Sequence, residues 1–259
     1  MKKIVMFLFC VIMAFAMAGC GGDGAKKADT AAAGKVLKVA TDANFPPFEF
    51  YQEQSKQHTG FDVELMNAVA KHMGYDKAEF INVDFKDILT GLNEKKYDAA
   101  IAGMTITPER ERIAEFSEPY VEDAYKVIVN KNSKLGDDFA ALKGKIVAAE
   151  EGSYALEMLK TKAAPAAIIP VKGTEAGVKL VADGKADALV ASKIAAGFFI
   201  AHNYGEKVKF AGENVLYADK IGIAVAHGNN ELEKQINEAL KEVKRSGEYD
   251  KIYSSYFGK

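Results

Sequence analysis

Apolar positions along the chain fall into an alternation of helical and strand patterns. Between residues 60 and 73, Phe61, Leu65, Val69 and Met73 recur every four positions, with Met66 and Ala70 on the same face and Gly74 following. That spacing predicts an amphipathic helix closing at the glycine. Short apolar runs at 36–40, 78–83 and 97–102 read as strands, and 86–94 reads as a second helix, giving βαβαβ. A long strand is predicted at 120–129, after which the rhythm restarts. Strands at 145–149, 168–171 and 186–191 then alternate with helices at 153–160, 174–182 and 194–201. Lys96-Tyr97-Asp98-Ala99 and Lys185-Ala186-Asp187-Ala188 each join a helix to a strand at the third position of their half. A second long strand at 216–225 and helices at 230–246 and 248–256 complete the series.

This order predicts an α/β fold of two similar lobes, each a mostly parallel sheet flanked by helices. The long strand at each junction suggests that the chain starts in one lobe, builds the other and returns. Residues 36–121 with 218–259 would form lobe one, and 122–217 lobe two. Two lobes joined by two extended segments can close on a hinge.

The first 35 residues stand apart from this pattern. Lys2 and Lys3 precede an apolar run from 4 to 18, then Gly19-Cys20. A basic start, a short apolar middle and small residues before a cut describe a secretory signal peptide over 1–19. Its fifteen apolar residues are too few for a comfortable membrane span. Ala18-Gly19-Cys20 resembles the lipobox of bacterial lipoproteins, with Met17 in place of the usual Leu, which implies lipid attachment at Cys20. Cys10 would be discarded with the leader, so no disulfide is expected within the mature chain. Residues 20–35, rich in Gly, Ala, Lys and Asp, read as a lipidated tether reaching roughly 20 Å by random-coil scaling. The expected location is therefore extracytoplasmic, anchored to the cell membrane by lipid.

Composition changes the picture only by exclusion. With 49% apolar and 27% charged residues in 259, the chain can build real cores. Its formal charge of −2 becomes −4 once Lys2 and Lys3 leave with the leader, a poor balance for nucleic acid. There is no phosphate loop or dinucleotide fingerprint, and His58, His72, His202 and His227 are scattered without metal-ligand spacing. No metal or cofactor is expected. Ser192-Lys193 invites a nucleophile reading, but no supporting motif accompanies it.

Polar groups collect instead where strands end. Asp42 follows the first strand, and Pro46 and Pro47 after it forbid helix and favour an extended, exposed loop holding Phe45 and Phe48. Gly103-Met104-Thr105-Ile106-Thr107-Pro108-Glu109-Arg110 follows the third strand. Thr107 is a suitable N-cap and Pro108 a suitable first helical residue. Free amides, hydroxyls and a guanidinium then meet at one place, an anion site suited to a carboxylate. Glu150-Glu151-Gly152-Ser153-Tyr154 is a second strand–glycine–hydroxyl–helix crossing in the other lobe. The competing readings are a capped helix with arginines in solvent, and two glutamates wetted at a turn.

Ala40-Thr41-Asp42 with Phe45-Pro46-Pro47-Phe48, the run Gly60-Phe61-Asp62-Val63-Glu64-Leu65, the Gly103 to Arg110 stretch and Phe116-Ser117-Glu118-Pro119-Tyr120 together resemble the family-3 extracellular solute-binding proteins of ABC importers. The resemblance covers nearly all of 36–257. It implies a two-lobed periplasmic-binding-protein-like (type II) fold, and a monomer that delivers an amino acid to an ABC permease. It implies that Arg110 binds the α-carboxylate with Thr105 and Ser153, that the Gly103 carbonyl takes part of the α-ammonium, and that Phe45 and Phe85 sandwich the side chain. Where the family usually places an acid for the ammonium, this chain has Ser192. Glu150 or Glu151 then compensates, or the ligand is not a standard α-amino acid. Glu150 and Asp42 make the pocket acidic, which favours a zwitterion with a cationic side chain, such as arginine, lysine or ornithine. Two alternatives compete. One is a cyclohexadienyl-dehydratase-like enzyme with Glu150 or Glu151 as general acid, which requires a glutamate kept protonated by burial. The other is a ligand-sensing module, disfavoured as no second span or signalling segment follows Lys259.

Overall fold

A computed structural model describes residues 34–258. The signal peptide, Cys20 and the tether up to residue 33 lie outside the described residues. Both halves open with the same three parallel strands. In lobe one, Val36–Thr41 lies between Lys77–Asn82 and Ala99–Ala100. In lobe two, Ile146–Glu150 lies between Ala167–Val171 and Ala188–Ser192. An antiparallel strand then extends each sheet beside its third: Ala224–Ala226 in lobe one and Val121–Asn130 in lobe two. The fold is thus the two-lobed α/β architecture that the resemblance implied.

Helices cover both faces of each sheet, so the inner strands carry apolar residues on both faces. Ala188–Ser192 is buried at every position. In lobe one, Phe61, Leu65, Met66 and Val69 of the helix Phe61–His72 meet Val39, Val225, Ile236 and Leu240 on one face. Ile88, Leu92, Tyr97 and Met104 fill the other face. The helix starts after Gly60, with Asp62 and Glu64 in its first turn and Lys71 and His72 in its last, as the helix dipole favours.

The crossovers pair with each other. Val121–Asn130 runs from the lobe-one core at Val121 to the lobe-two core at Val127 and Val129. Tyr217–Ile221 lies antiparallel along its first half, with Val121 opposite Ile221 and Tyr125 opposite Tyr217. The strand expected at 216–225 is therefore two strands, Tyr217–Ile221 in one sheet and Ala224–Ala226 in the other. The break falls at Gly222, where a Cβ would meet Ile106 Cδ1 at 2.8 Å. One segment serves two sheets only by breaking between them.

The loop expected after Asp42 also departs from its prediction. Asn44–Phe45, Glu49–Gln52 and Gln57–Thr59 form a small antiparallel sheet. Phe48 is fully buried, 5.4 Å from the Phe45 ring and 5.5 Å from Phe257. Its other aromatic partners come from the helix at 61 and the C-terminal helix Glu248–Phe257, contacts that no local pattern contains.

Candidate ligand-binding cleft

The carboxyl ends of the central strands in both lobes open on one cleft, the usual place for a site in open α/β sheets. It is lined from lobe one by Asp42, Phe45, Glu49, Phe85 and Gly103. Lobe two contributes Glu150, Ser153 and Ser192 among others, with Tyr125 from the crossover.

Arg110 lies on the short helix Pro108–Glu111. Thr107 caps that helix as the sequence predicts, its Oγ1 accepting from the Arg110 amide at 3.2 Å. Arg110 as a residue is 6% exposed, and its Cζ lies 5.4 Å from the centre of the Phe85 ring. Nη1 donates to the Thr105 carbonyl at 2.7 Å and Nη2 to the Gly152 carbonyl at 3.0 Å. A lobe-one side chain thus already holds lobe-two backbone. Those bonds use two of its five N–H groups, and Arg110 stands behind the residues that line the cleft. Arg112 is exposed and pairs with Glu109, as a surface residue.

Gly103 is required for two reasons. Its φ is +52°, and a Cβ would meet Phe45 Cε1 at 2.6 Å. Its amide donates to Asp62 Oδ2 at 2.9 Å. Thr105 sits behind the cleft: its hydroxyl bonds Asp219 Oδ2 and the Tyr125 hydroxyl, both at 3.0 Å. Ser153 and Ser192 line the cleft and cap helices. Ser153 Oγ accepts from Leu156 N and donates to the Glu150 carbonyl, at 3.3 and 2.8 Å. Ser192 Oγ accepts from Ala195 N at 3.0 Å and donates to Asp123, whose other oxygen accepts from Ile194 N at 3.2 Å.

The acids dominate the electrostatics. Asp42 accepts from the Phe85 amide at 2.9 Å, yet burial pushes its pKa up to about 6. Burial and the neighbouring Asp42 push Glu150 up to about 8, against the opposing Gly173 amide and Arg110. Glu150 is half-buried and lines the cleft. Its neighbour Glu151 is partly exposed and pairs with Lys86 across the lobes at 2.7 Å. Opposite charges also meet at Asp84 and Lys172, 2.7 Å apart.

Two acids escaped the sequence reading. Glu49 is wholly buried, and burial, with Asp62 beside it, pushes it well above the usual carboxylate range. Asp62, also wholly buried, is pushed up to about 6 by burial while accepting from Gly103 N and, at 2.7 Å, from the Tyr120 hydroxyl. The signal was present: Glu49 stands between two phenylalanines in Phe48-Glu49-Phe50, and Asp62 between Phe61 and Val63.

Residues 37–259 match the model of the bacterial extracellular solute-binding proteins, family 3. The chain belongs to that family. It is 34% identical to a probable histidine-binding protein of Neisseria gonorrhoeae over 264 residues, covering 100% of this chain and 97% of that protein. An ancestral arginine-binding protein solved with glutamine shares 38% identity at a TM-score of 0.80, covering 86% of this chain and 98% of its own. An ancestral amino acid-binding protein, AncCDT-1, a precursor of cyclohexadienyl dehydratase, shares 31% at 0.77, covering 86% and 95%.

Proposed function

We propose that the protein captures a basic amino acid in the interlobe cleft and delivers it to an ABC permease, from a position held at the membrane by a lipid on Cys20. The observation that carries the ligand class is the set of three carboxyls, Asp42, Glu49 and Glu150, lining a cleft beside the buried guanidinium of Arg110. Arg110 takes the ligand carboxylate, and the carboxyls take its cationic side chain. Phe45 and Phe85 supply apolar walls, and Gly103 and Ser153 frame the two crossings. Thr105 acts from behind, by holding Arg110 through its carbonyl. The names of the relatives, a histidine-binding and an arginine-binding protein, support a nitrogen-rich side chain.

Ser192 leaves the ammonium without a direct acidic partner, and Glu151 is engaged with Lys86. Asp123 meets the need from the crossover strand. Ser192 donates to it, so the serine oxygen is polarised and keeps a lone pair for a ligand N–H. A thermal-shift screen of the amino acids tests the reading: arginine, lysine or ornithine should raise the melting temperature most. Stabilisation by glutamate and by no basic amino acid overturns it. For the anchor, Cys20→Ser should move the protein from the membrane to the soluble fraction, and no change rejects lipid attachment.

The dehydratase reading has one observation in its favour. A glutamate raised to about 8 is protonated at neutral pH, as a general acid must be. Product formation from a prephenate-type substrate, abolished by Glu150→Gln, would put this reading first.

A further inference from the structure

The cleft holds more acid than one ligand cation needs, and one of these acids has no partner. Glu49 is fully buried, lines the cleft, and neither of its carboxyl oxygens meets a donor. Asp62 faces it from the helix Phe61–His72, Asp42 from the end of the first strand, and Glu150 from lobe two. Tyr120 lies against the same pair, its hydroxyl committed to Asp62. The cations that act on this cluster reach only its rim, Arg110 on Glu150 and Lys172 on Asp42, where Asp84 also acts.

Asp62 Oδ1 is orphaned too. As two carboxylates, Glu49 and Asp62 would leave three buried oxygens unpaired and two like charges side by side. One proton removes the like-charge pair and satisfies two of the three oxygens, because a neutral Glu49 becomes a donor to Asp62 and leaves one Glu49 oxygen open to a ligand donor. The upward push on Glu49 by burial and by Asp62 agrees with a shared proton.

We infer that the Glu49–Asp62 pair is a proton-exchanging cation subsite, in which the ammonium or guanidinium of the captured ligand docks against Glu49 and displaces the proton to solvent. The inference rests on the basic-ligand reading. A neutral acid and a cation enter the step, and a carboxylate–cation pair and one free proton leave it. The charge enclosed by the closed lobes is unchanged, so the ligand-free and ligand-bound clefts are both tolerable to bury. The resident proton thereby selects for ligands: a cation replaces it, whereas a neutral side chain such as that of glutamine leaves it in place.

Titration calorimetry of the whole protein tests this, using L-arginine and L-glutamine in two buffers of different ionisation enthalpy. Arginine should release about one proton, and its Kd should fall up to about tenfold per unit rise in pH where the pair stays protonated. Any glutamine binding should show neither effect. Arginine binding with no proton release and no pH slope overturns the inference and leaves the basic-ligand reading standing. If arginine, lysine and ornithine all fail to bind, both fall. Glu49→Gln should abolish the release and flatten the slope. A folded Glu49→Gln variant that still releases a proton overturns the role of Glu49. Should that variant not fold, Glu150→Gln should bind more weakly yet still release the proton, and loss of the release there overturns the assignment to the pair.

Discussion

Two groups of carboxyls flank the same cleft, and they are satisfied in different ways. At the crossover, Asp123 and Asp219 lie opposite each other on paired strands. Asp123 accepts from Ser192 and the Ile194 amide, and Asp219 accepts from Thr105. Burial raises both, Asp219 to about 7 with the Asp123 charge adding to it. These donors come from both lobes, so this acidity is built into the joint. Beside the ligand space, Asp42 has one backbone donor, and Glu49 has none. Asp123 thus has a donor for each oxygen and Asp219 for one of its two, whereas Glu49 has no donor for either. The same residue chemistry differs between the two places in the number of donors supplied, most at Asp123 and none at Glu49.

The largest break in this contrast should come from Arg110→Ala, which removes the cation opposing the cleft acids and strips a partner from the Thr105 and Gly152 carbonyls. A loss of affinity above about 100-fold is expected by calorimetry, in line with breaking a buried charge interaction. Retained tight binding would overturn the role of Arg110. Gly152→Ala comes next. Its φ is +75°, and a Cβ would lie 2.8 Å from Lys86 Cα, backbone of the opposite lobe. Closure should suffer by on the order of 30-fold in affinity, about 2 kcal/mol, and X-ray scattering should show less compaction on adding ligand. If ligand compacts the variant as it does the parent, the close approach of the lobes there does not matter.

Asp123→Asn sharpens the contrast from the joint side. Affinity for an α-amino acid should drop about tenfold, roughly 1.4 kcal/mol, while an analogue lacking the α-amino group should lose little. Equal losses for both ligands would assign Asp123 to hinge structure alone. The pH dependence of stability follows from the raised acids. A carboxyl raised by folding holds its proton more tightly in the native state, so its contribution is fully present below the unfolded value near 4 and lost as pH rises through the folded one. With Asp42 and Asp62 at about 6, Asp219 at about 7 and Glu150 at about 8, the ligand-free melting temperature should fall between about pH 5 and 8. A drop on the order of 5 °C is expected by calorimetric scan. A rise over that range would mean that these groups are not buried as protonated acids. The smallest effect belongs to the exposed interlobe pairs. Lys86→Ala and Lys172→Ala should each change affinity less than about threefold, shrinking further in salt. A larger loss would make these pairs part of the closing device.

Local pattern carried much of the fold. The four-residue recurrence from Phe61 marks a helix observed over Phe61–His72, and Thr107-Pro108 marks a cap that is present. Asp42, Gly103, Glu150 and Ser153 were visible as strand-end residues and line the cleft, as does Ser192, which only the resemblance singled out for the site; Arg110 and Thr105 lie behind that lining. Glu49 and Asp62 were not visible as site residues. Asp62 reads equally well as an ordinary first-turn acid on a helix, and Glu49 as a polar position in an exposed loop. The aromatic cluster packed around their neighbours Phe48 and Phe61 includes Tyr120 and Phe257, which are distant in the chain.

Sequence by itself determined the alternation of elements, the two-lobe order and the positions at which backbone amides and charged groups leave the strands. These depend on periodicity, capping and turn chemistry, which act over a few residues. Only the tertiary structure decided which acids are wet and which are dry. Glu150 and Glu151 are adjacent and both half-buried, yet one lines the cleft beside Asp42 and the other meets Lys86. Desolvation depends on what the rest of the chain places around a group, and that is settled only when both lobes and their crossovers come together.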